Sequence, residues 1–294
     1  MEYNTVVPPT SFTDNPQQDK EKFFRQYING EKEAVCNHYR IMRKNQTYDY
    51  NIKVRQKYAS REKVKLTLWQ MLDIIGKFID ISDPDISLSN VHHLFQAAEK
   101  ARADGQAKWF QLTCLLHDMG KIMCKWGCDE DGTSMATQWG IVGDTFILGC
   151  RIPDTCVYPE FNITNPDMSH PIYSTHYGIY ENKCGLNNTI CAWGHDEYLY
   201  QVLKDPSNSN KLPKEAYYMI RFHSLYPWHN KCEYYHLMND EDEIMLPIVQ
   251  EFNKYDLYTK VDAGASSDDI IASQQTSELT ENTEDTSEDD GDII

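Results

Sequence analysis

The sequence predicts an all-α protein, folded as one helical bundle with long loops between its central helices. Apolar residues recur with the helical period in most segments from residue 65 to residue 260. Runs that alternate apolar and polar residues, as half-buried β-strands do, are few. The 294 residues suit one large domain or two small ones, and the 40% of hydrophobic residues can form a sizeable core.

Two helices are predicted in the first half of the chain. In "VKLTLWQMLDIIGKFI" one face carries four apolar side chains at helical spacing, Leu68, Leu72, Ile75 and Ile79. The second segment, "SNVHHLFQAAEKARA", has Ser89 or Asn90 as its N-cap and is rich in strong helix formers as far as Gly105. Both segments are therefore interpreted as amphipathic helices that pack on a common core.

Four more helices are predicted in the second half. The segment "KWFQLTCLLHDMGKIMCKW" reads as one buried helix over residues 108–126, and "NTICAWGHDEYLYQVLK" as another over 188–204. A helix over "KEAYYMIRFHSLYPWH" is expected to stop at Pro227. The last, "DEIMLPIVQEFNKYDLYTK", contains Pro247 either near its start or at a kink. The stretch 127–187, rich in Gly, Pro, Asp and Asn, predicts long loops with short helices.

The ends of the chain differ in composition from the predicted bundle. Residues 1–24 are rich in Pro, Thr, Asn and Gln, which favours a loosely ordered N-terminal segment. Residues 262–294 contain eleven acidic residues and no Lys or Arg, so much of the net charge of −17 lies in this predicted disordered tail. Residues 25–261 are therefore predicted to form the folded domain.

Composition also limits the partners and the location. An acidic chain is a poor surface for nucleic acid or for an anionic membrane. No apolar run approaches the ~18 residues of a membrane span, and the first residues lack the basic and apolar regions of a secretory signal. Nine cysteines without a disulfide-framework spacing indicate reduced thiols. We expect a cytoplasmic protein without nucleic-acid or membrane partners.

Ionisable side chains interrupt five of the apolar segments. They are His93, His117, His195, His223 and Asp256. A single such histidine is more often a core residue with a satisfied hydrogen bond than a metal ligand. Burial of all five without partners would be costly, and a shared first-row transition metal is a common solution. The sequence lacks the pair of Glu-x-x-His motifs that ferritin-like di-iron bundles carry, and it lacks the His-Glu-x-x-His motif of the common zinc peptidases.

Two neighbours of His117 suggest further chemistry. The adjacent Asp118 points about 100° away on a helix, so it can bridge to a second metal more easily than it can chelate the first. Lys121 lies one helical turn after His117. It is either a solvated surface lysine or, beside a metal pair, a substrate clamp or proton donor. Four histidines and two aspartates are about enough for two metals with open positions.

The order His, His-Asp, His, His, Asp resembles the HD-domain superfamily of all-α, metal-dependent enzymes. Within it, the segments "LLHDMGKIM", "VGDTF", "AWGHDEYLYQ", "YYMIRFHSLYPWH" and "EFNKYDLYTK" are similar to the myo-inositol oxygenase family, in family order, from about residue 25 to residue 260. This resemblance implies a mixed-valent di-iron site. One iron would be held by His93, His117, Asp118 and Asp256, and the other by Asp118, His195 and His223, with Asp118 as the bridge.

The resemblance also implies a substrate and a reaction. A family member would use dioxygen to cleave the ring of myo-inositol between C1 and C6, giving D-glucuronate. Asp118 and Lys121 would serve catalysis. The implied substrate contacts are Arg25, Asp80, Lys121, Gly143, Asp144, His223, Ser224 and Lys260. The family further implies a monomer.

Two other functions remain open at this stage. An HD-domain phosphohydrolase would act on nucleotides or phosphate esters and would favour a basic pocket, whereas only Lys121 and Lys260 are expected near this site. A helical scaffold with a degenerate site would have no reason to keep six candidate ligands.

Overall fold

The computed structural model describes residues 33–59, 65–83 and 89–257. Within these ranges the nine α-helices are α1 (Glu33–Asn45), α2 (Tyr48–Lys57), α3 (Leu68–Ile75), α4 (Asn90–Ala103), α5 (Lys108–Leu116), α6 (His195–Lys204), α7 (Lys214–Phe222), α8 (Tyr226–His229) and α9 (Asp240–Asp256). Two short strands, β1 (Ile147–Leu148) and β2 (Ile190–Cys191), pair antiparallel. The all-α prediction is confirmed. Both predicted domain boundaries fall outside the described residues.

Side-chain caps fix the start of several helices. The sequence allowed Ser89 or Asn90 as the N-cap of α4. Ser89 is the N-cap, and its side chain accepts a hydrogen bond from the backbone N–H of His92. Thr67 before α3 and Asn239 before α9 each form a capping box with the residue three positions later. These caps satisfy N–H groups that a helix start otherwise leaves without partners.

The helices bury their apolar faces against one another around four hydrophobic clusters. The largest cluster joins α3, α4, α6 and the segment after α5, with Ile75, Leu94 and Trp193 among its fully buried members. Another cluster packs α5 on α9 through Phe110 and Phe252. The ends of α4, α5, α6, α7 and α9 consequently meet near the centre of the molecule.

The predicted helix over 108–126 is wrong in one respect. The α-helical part ends at Leu116, and a 3₁₀ helix continues from Met119 to Lys125. A Cβ atom on Gly120 would lie 1.9 Å from the carbonyl oxygen of His195, so this turn packs directly on the backbone at the start of α6. The tighter turn and this close contact occur at the same place, and a helical period alone reveals neither.

Three further boundaries also differ from the sequence prediction. The predicted helix over 188–204 begins only at His195, because Ile190 and Cys191 form β2. The helix at 214–229 ends at Phe222, and Pro227 lies in the first turn of α8. Ile79 was expected on the buried face of the first helix, but α3 has ended by then and the side chain is exposed.

The loops of residues 127–187 agree with their composition, since they contain five 3₁₀ turns and only one two-residue strand. Pro247 lies inside α9. Among the described residues, no helix has both the length and the apolar character needed to cross a bilayer.

Candidate metal centre

Five helix ends bring the six predicted ligands together. His93 lies in the first turn of α4, His195 opens α6, and Asp256 closes α9. His117 and His223 are the C-caps of α5 and α7. Asp118 follows His117 directly. All of these side chains are buried except His93, whose side chain is 18% exposed.

The first half of the cluster is formed by His93, His117 and Asp256. The Nε2 atoms of the two histidines are 3.3 Å apart. Oδ1 of Asp256 lies 3.1 Å from Nε2 of His93 and 3.2 Å from Nε2 of His117. These three donor atoms therefore surround a single point from the ends of α4, α5 and α9.

The second half is formed by His195 and His223, whose Nε2 atoms are 3.0 Å apart. Oδ1 of Asp118 lies 3.0 Å from Nε2 of His195 and 3.8 Å from Nε2 of His223. The other oxygen of the same carboxylate, Oδ2, is 3.7 Å from Nε2 of His117. Asp118 thus directs one oxygen to each half of the cluster.

Backbone carbonyl groups determine which nitrogen faces the cluster in three of the four rings. Nδ1 of His117 lies 2.8 Å from the carbonyl oxygen of Cys114, and Nδ1 of His223 lies 2.8 Å from that of Ile220. Nδ1 of His195 lies 2.7 Å from the carbonyl oxygen of Ile141. A carbonyl oxygen only accepts, so each Nδ1 must carry the proton and donate it. In the neutral ring, Nε2 then presents a lone pair to the centre.

Lone pairs that face each other repel unless a cation lies between them. Burial lowers the pKa of the His223 imidazole to about 3, and it also lowers that of His93, so both rings are neutral near pH 7. The pKa of His195 is raised instead: burial opposes protonation there, but the hydrogen bond and charge of Asp118 outweigh it. A shared proton can satisfy such a pair, and so can a shared metal ion.

The donor spacing fits metal ions well. Two donors held at right angles about 2.1 Å from one ion lie about 3.0 Å apart. Within the two halves, the five shortest distances between candidate donor atoms are 3.0 to 3.3 Å. Neutral imidazole with carboxylate is a donor set that suits iron among other first-row metals. The residues therefore fit a pair of metal ions that share Asp118.

Lys121 is not a solvated lysine. Its ammonium group lies 2.8 Å from Oδ2 of Asp118 and 2.8 Å from Oδ2 of Asp80, and it donates to Oδ1 of Asn90 at 3.0 Å. Burial opposes its charge, but the two carboxylates outweigh burial and raise the pKa of Lys121 above its ordinary value. The 3₁₀ turn explains why Lys121 pairs with Asp118. Residues three apart in sequence eclipse each other in a 3₁₀ helix, so Lys121 lies over Asp118 and not over His117.

A pocket opens beside this lysine and the metal cluster. Six of the predicted substrate contacts line it: Lys121, His223, Asp80, Gly143, Asp144 and Ser224. Tyr39, Ser82 and Tyr226 also line it, and sequence reasoning missed all three. Ser82 had a detectable signal, since "Asp-x-Ser" after a helix typically forms a turn and Ser82 donates twice to Oδ1 of Asp80. Arg25 and Lys260 lie outside the described residues.

Asp144 lines this pocket with a buried carboxylate. Its Oδ2 accepts from the backbone N–H of Val157, whereas Oδ1 has no hydrogen-bond partner among the described residues and lies 3.7 Å from Nη2 of Arg43. Burial raises the pKa of this carboxyl, and Arg43 only partly offsets it. The preceding Gly143 has φ of +111°, and a Cβ there would lie 2.7 Å from Sδ of Met42. Glycine is therefore required to turn the chain toward the pocket.

The fold and the site define an all-α protein with a buried cluster of histidines and aspartates that could hold metal ions, beside a polar pocket. A profile of the myo-inositol oxygenase family matches residues 32–276. Inositol oxygenase of Rattus norvegicus is 44% identical over 250 residues, which cover 84% of each chain. That of Homo sapiens is 41% identical over 87% of this chain and 89% of its own. That of Dictyostelium discoideum is 42% identical over 81% of this chain and 80% of its own. The chain belongs to the myo-inositol oxygenase family. Arg25 precedes the residues that the family profile matches.

Proposed function

We propose that the protein is an inositol oxygenase that cleaves the ring of myo-inositol between C1 and C6 and releases D-glucuronate. Dioxygen is the co-substrate, with one oxygen atom entering the product and the other leaving as water. The observation that carries this proposal is the convergence of four histidine Nε2 atoms and two carboxylates on two adjacent points that share Asp118. Membership of the family selects iron among the metals that this donor set accepts.

In this proposal the two iron ions divide the ligands as the two halves of the cluster do. His93, His117 and Asp256 would hold one iron, His195 and His223 would hold the other, and Asp118 would be shared between them. When bound, the iron pair would lower the pKa of a substrate hydroxyl and would relay electrons from the substrate to dioxygen.

Lys121 holds a substrate oxygen as a hydrogen-bond donor. All three of its N–H groups are engaged by Asn90, Asp80 and Asp118. A substrate hydroxyl must therefore replace one partner, and Asp118 is the partner whose oxygens are also needed as ligands. The two carboxylates raise the pKa of Lys121, so it is protonated at neutral pH, and in this proposal its ammonium group stabilises a developing alkoxide as a hydrogen-bond donor.

The side chains of the pocket suit a neutral polyol. Among the described lining residues, Lys121 is the only lysine or arginine, and it pairs with two of the four lining aspartates, Asp80 and Asp118. Apart from the metal ions, the pocket offers a phosphate ester no unpaired cationic side chain among these residues, whereas each hydroxyl of a polyol can donate to a carboxylate. Oδ1 of Asp144 and the hydroxyl group of Ser224 are further substrate contacts in this proposal, together with Gly143, Arg25 and Lys260.

The decisive experiment measures iron content and dioxygen uptake on the purified protein. Two irons per chain, with dioxygen consumption that requires myo-inositol and yields D-glucuronate in equal amounts, supports the proposal. Metal without dioxygen uptake, but with phosphate release from a nucleotide, would instead indicate an HD-domain phosphohydrolase. No bound metal would favour a scaffold. Sedimentation velocity tests the proposed monomer, and fluorescence imaging of the tagged protein tests the proposed cytoplasmic location.

A further inference from the structure

A buried carboxylate outside the metal cluster joins two arginines from neighbouring helices. Glu197 lies in the first turn of α6 and is 2% exposed. Its Oε1 accepts from Nη1 of Arg55 at 2.6 Å and from Gln201 at 2.8 Å, and its Oε2 accepts from Nε of Arg221 at 2.8 Å. Arg55 belongs to α2 and Arg221 to α7. The charge is thus shared among three helices.

Both arginines also hold the segment that leads into α6. Nη2 of Arg221 donates to the carbonyl oxygen of Thr189 at 3.0 Å, and its Nη1 donates to Oδ1 of Asn187 at 3.2 Å. Nη2 of Arg55 donates to the carbonyl oxygen of Cys191 at 2.5 Å. Since a planar guanidinium group offers donors in a fixed geometry, this network defines the position of α6 relative to α7.

The Glu197–Arg221 pair lies close in sequence to the two histidines of one half of the proposed metal centre. Glu197 lies two residues after His195, and Arg221 lies two residues before His223. The pair therefore spans the same two helix ends whose imidazole Nε2 atoms meet at 3.0 Å. The other half is carried by α4, α5 and α9, none of which contributes a charged group to this network.

We propose that Glu197 and Arg221 are positioning residues that set the approach of His195 to His223 and so determine the affinity of that half for its metal ion. This inference rests on the proposed two-metal centre. Stability alone is a weak reason for such a triad, because replacing a buried ion pair with apolar side chains is often neutral or stabilising.

The test is a cobalt(II) titration of metal-free protein, followed by visible absorbance, with bound metal counted by mass spectrometry. Arg221→Met is compared with Arg55→Met, since both remove one arginine from Glu197 but only the first breaks the link between α6 and α7. The wild-type protein and Arg55→Met should both bind two ions with similar affinity. Arg221→Met should bind one ion as tightly as the wild type and the second at least about 10-fold more weakly.

Two further backgrounds separate positioning from general destabilisation. In His93→Ala the remaining tight ion belongs to the His195 half, so adding Arg221→Met should weaken its binding. In His223→Ala that half is already damaged, and adding Arg221→Met should leave the remaining affinity unchanged. Arg221→Lys keeps the charge but lacks the planar group, and it should give an intermediate affinity for the second ion.

The remaining outcomes of these titrations would overturn either the positioning role or the proposed function. Equal weakening in both backgrounds, or equal effects of Arg221→Met and Arg55→Met, would overturn the positioning role while leaving the metal centre intact. If the Arg221→Met protein does not fold, the Arg221→Lys titration decides, and two ions bound with wild-type affinity would overturn the role. A wild-type protein that binds fewer than two ions would overturn the proposed function itself.

Discussion

Lys121→Met would remove the ammonium group that lies between two buried carboxylates. Burial by itself would raise the pKa of the Asp80 carboxyl, yet the charge and hydrogen bond of Lys121, helped by Ser82, lower it from its ordinary value of 3.8 to about 2. At about 1.4 kcal/mol for each tenfold change in acidity, this corresponds to roughly 2 to 3 kcal/mol. The side chains of Lys121 and Asp80 are only 6% and 11% exposed, so solvent screens little of it.

Loss of about 3 kcal/mol is therefore expected at neutral pH, since Asp118 is also left without this partner and breaking a buried pair typically costs that much. The pH dependence has a definite sign. A lowered folded-state pKa stabilises the wild type above about pH 4, and that contribution disappears as pH falls toward about 2. In the variant, protonation of the unpaired carboxylates relieves their repulsion. The stability difference should therefore shrink as pH falls.

Urea unfolding of chelator-treated protein, followed by far-ultraviolet circular dichroism at about pH 7 and about pH 3, measures both effects. Lys77→Met is the matched control, because Lys77 pairs with Asp73 at 2.7 Å but both side chains are 69% exposed. It should cost less than about 1 kcal/mol. Equal losses for the two lysine variants, or a difference that does not change with pH, would refute the reasoning.

Two further predictions follow from close contacts in the site. Gly120→Ala should destabilise the protein by at least about 2 kcal/mol in the same assay, because the added Cβ would lie 1.9 Å from the His195 carbonyl oxygen. Gly76→Ala, with no contact shorter than 3.3 Å, is its control, and similar losses would contradict the packing argument. Asp256→Ala should lose one metal ion and Asp118→Ala both, measured by mass spectrometry. Two ions retained by Asp118→Ala would exclude a bridging role.

Local patterns predicted the helices that carry the site. The Ser89 cap and the apolar period around His93 describe α4 before any tertiary contact is considered. The order of the polar residues in the apolar segments predicted which helix ends would meet, and the six side chains do converge. Their role as iron ligands remains a proposal.

Contacts between distant segments account for what the sequence could not predict. The switch to a 3₁₀ turn after His117 occurs where the backbone of His195 packs against Gly120. That switch places Lys121 over Asp118, whereas an α-helical period predicted His117 as its neighbour. Tyr39 and Tyr226 reach the pocket from α1 and α8, and nothing in their own segments distinguishes them from core tyrosines.

The hydrogen bonds from histidine Nδ1 to backbone carbonyl oxygens have a consequence for metal uptake. In His117 and His223 the carbonyl belongs to the residue three positions earlier, so the end of the helix itself sets the tautomer and restricts the ring. The centre is preorganised, and little conformational entropy is left to lose when metal binds. Many small metal sites form only as the metal folds the chain. Here the helices should survive chelation, and reloading should be a simple bimolecular step whose rate rises in proportion to metal concentration.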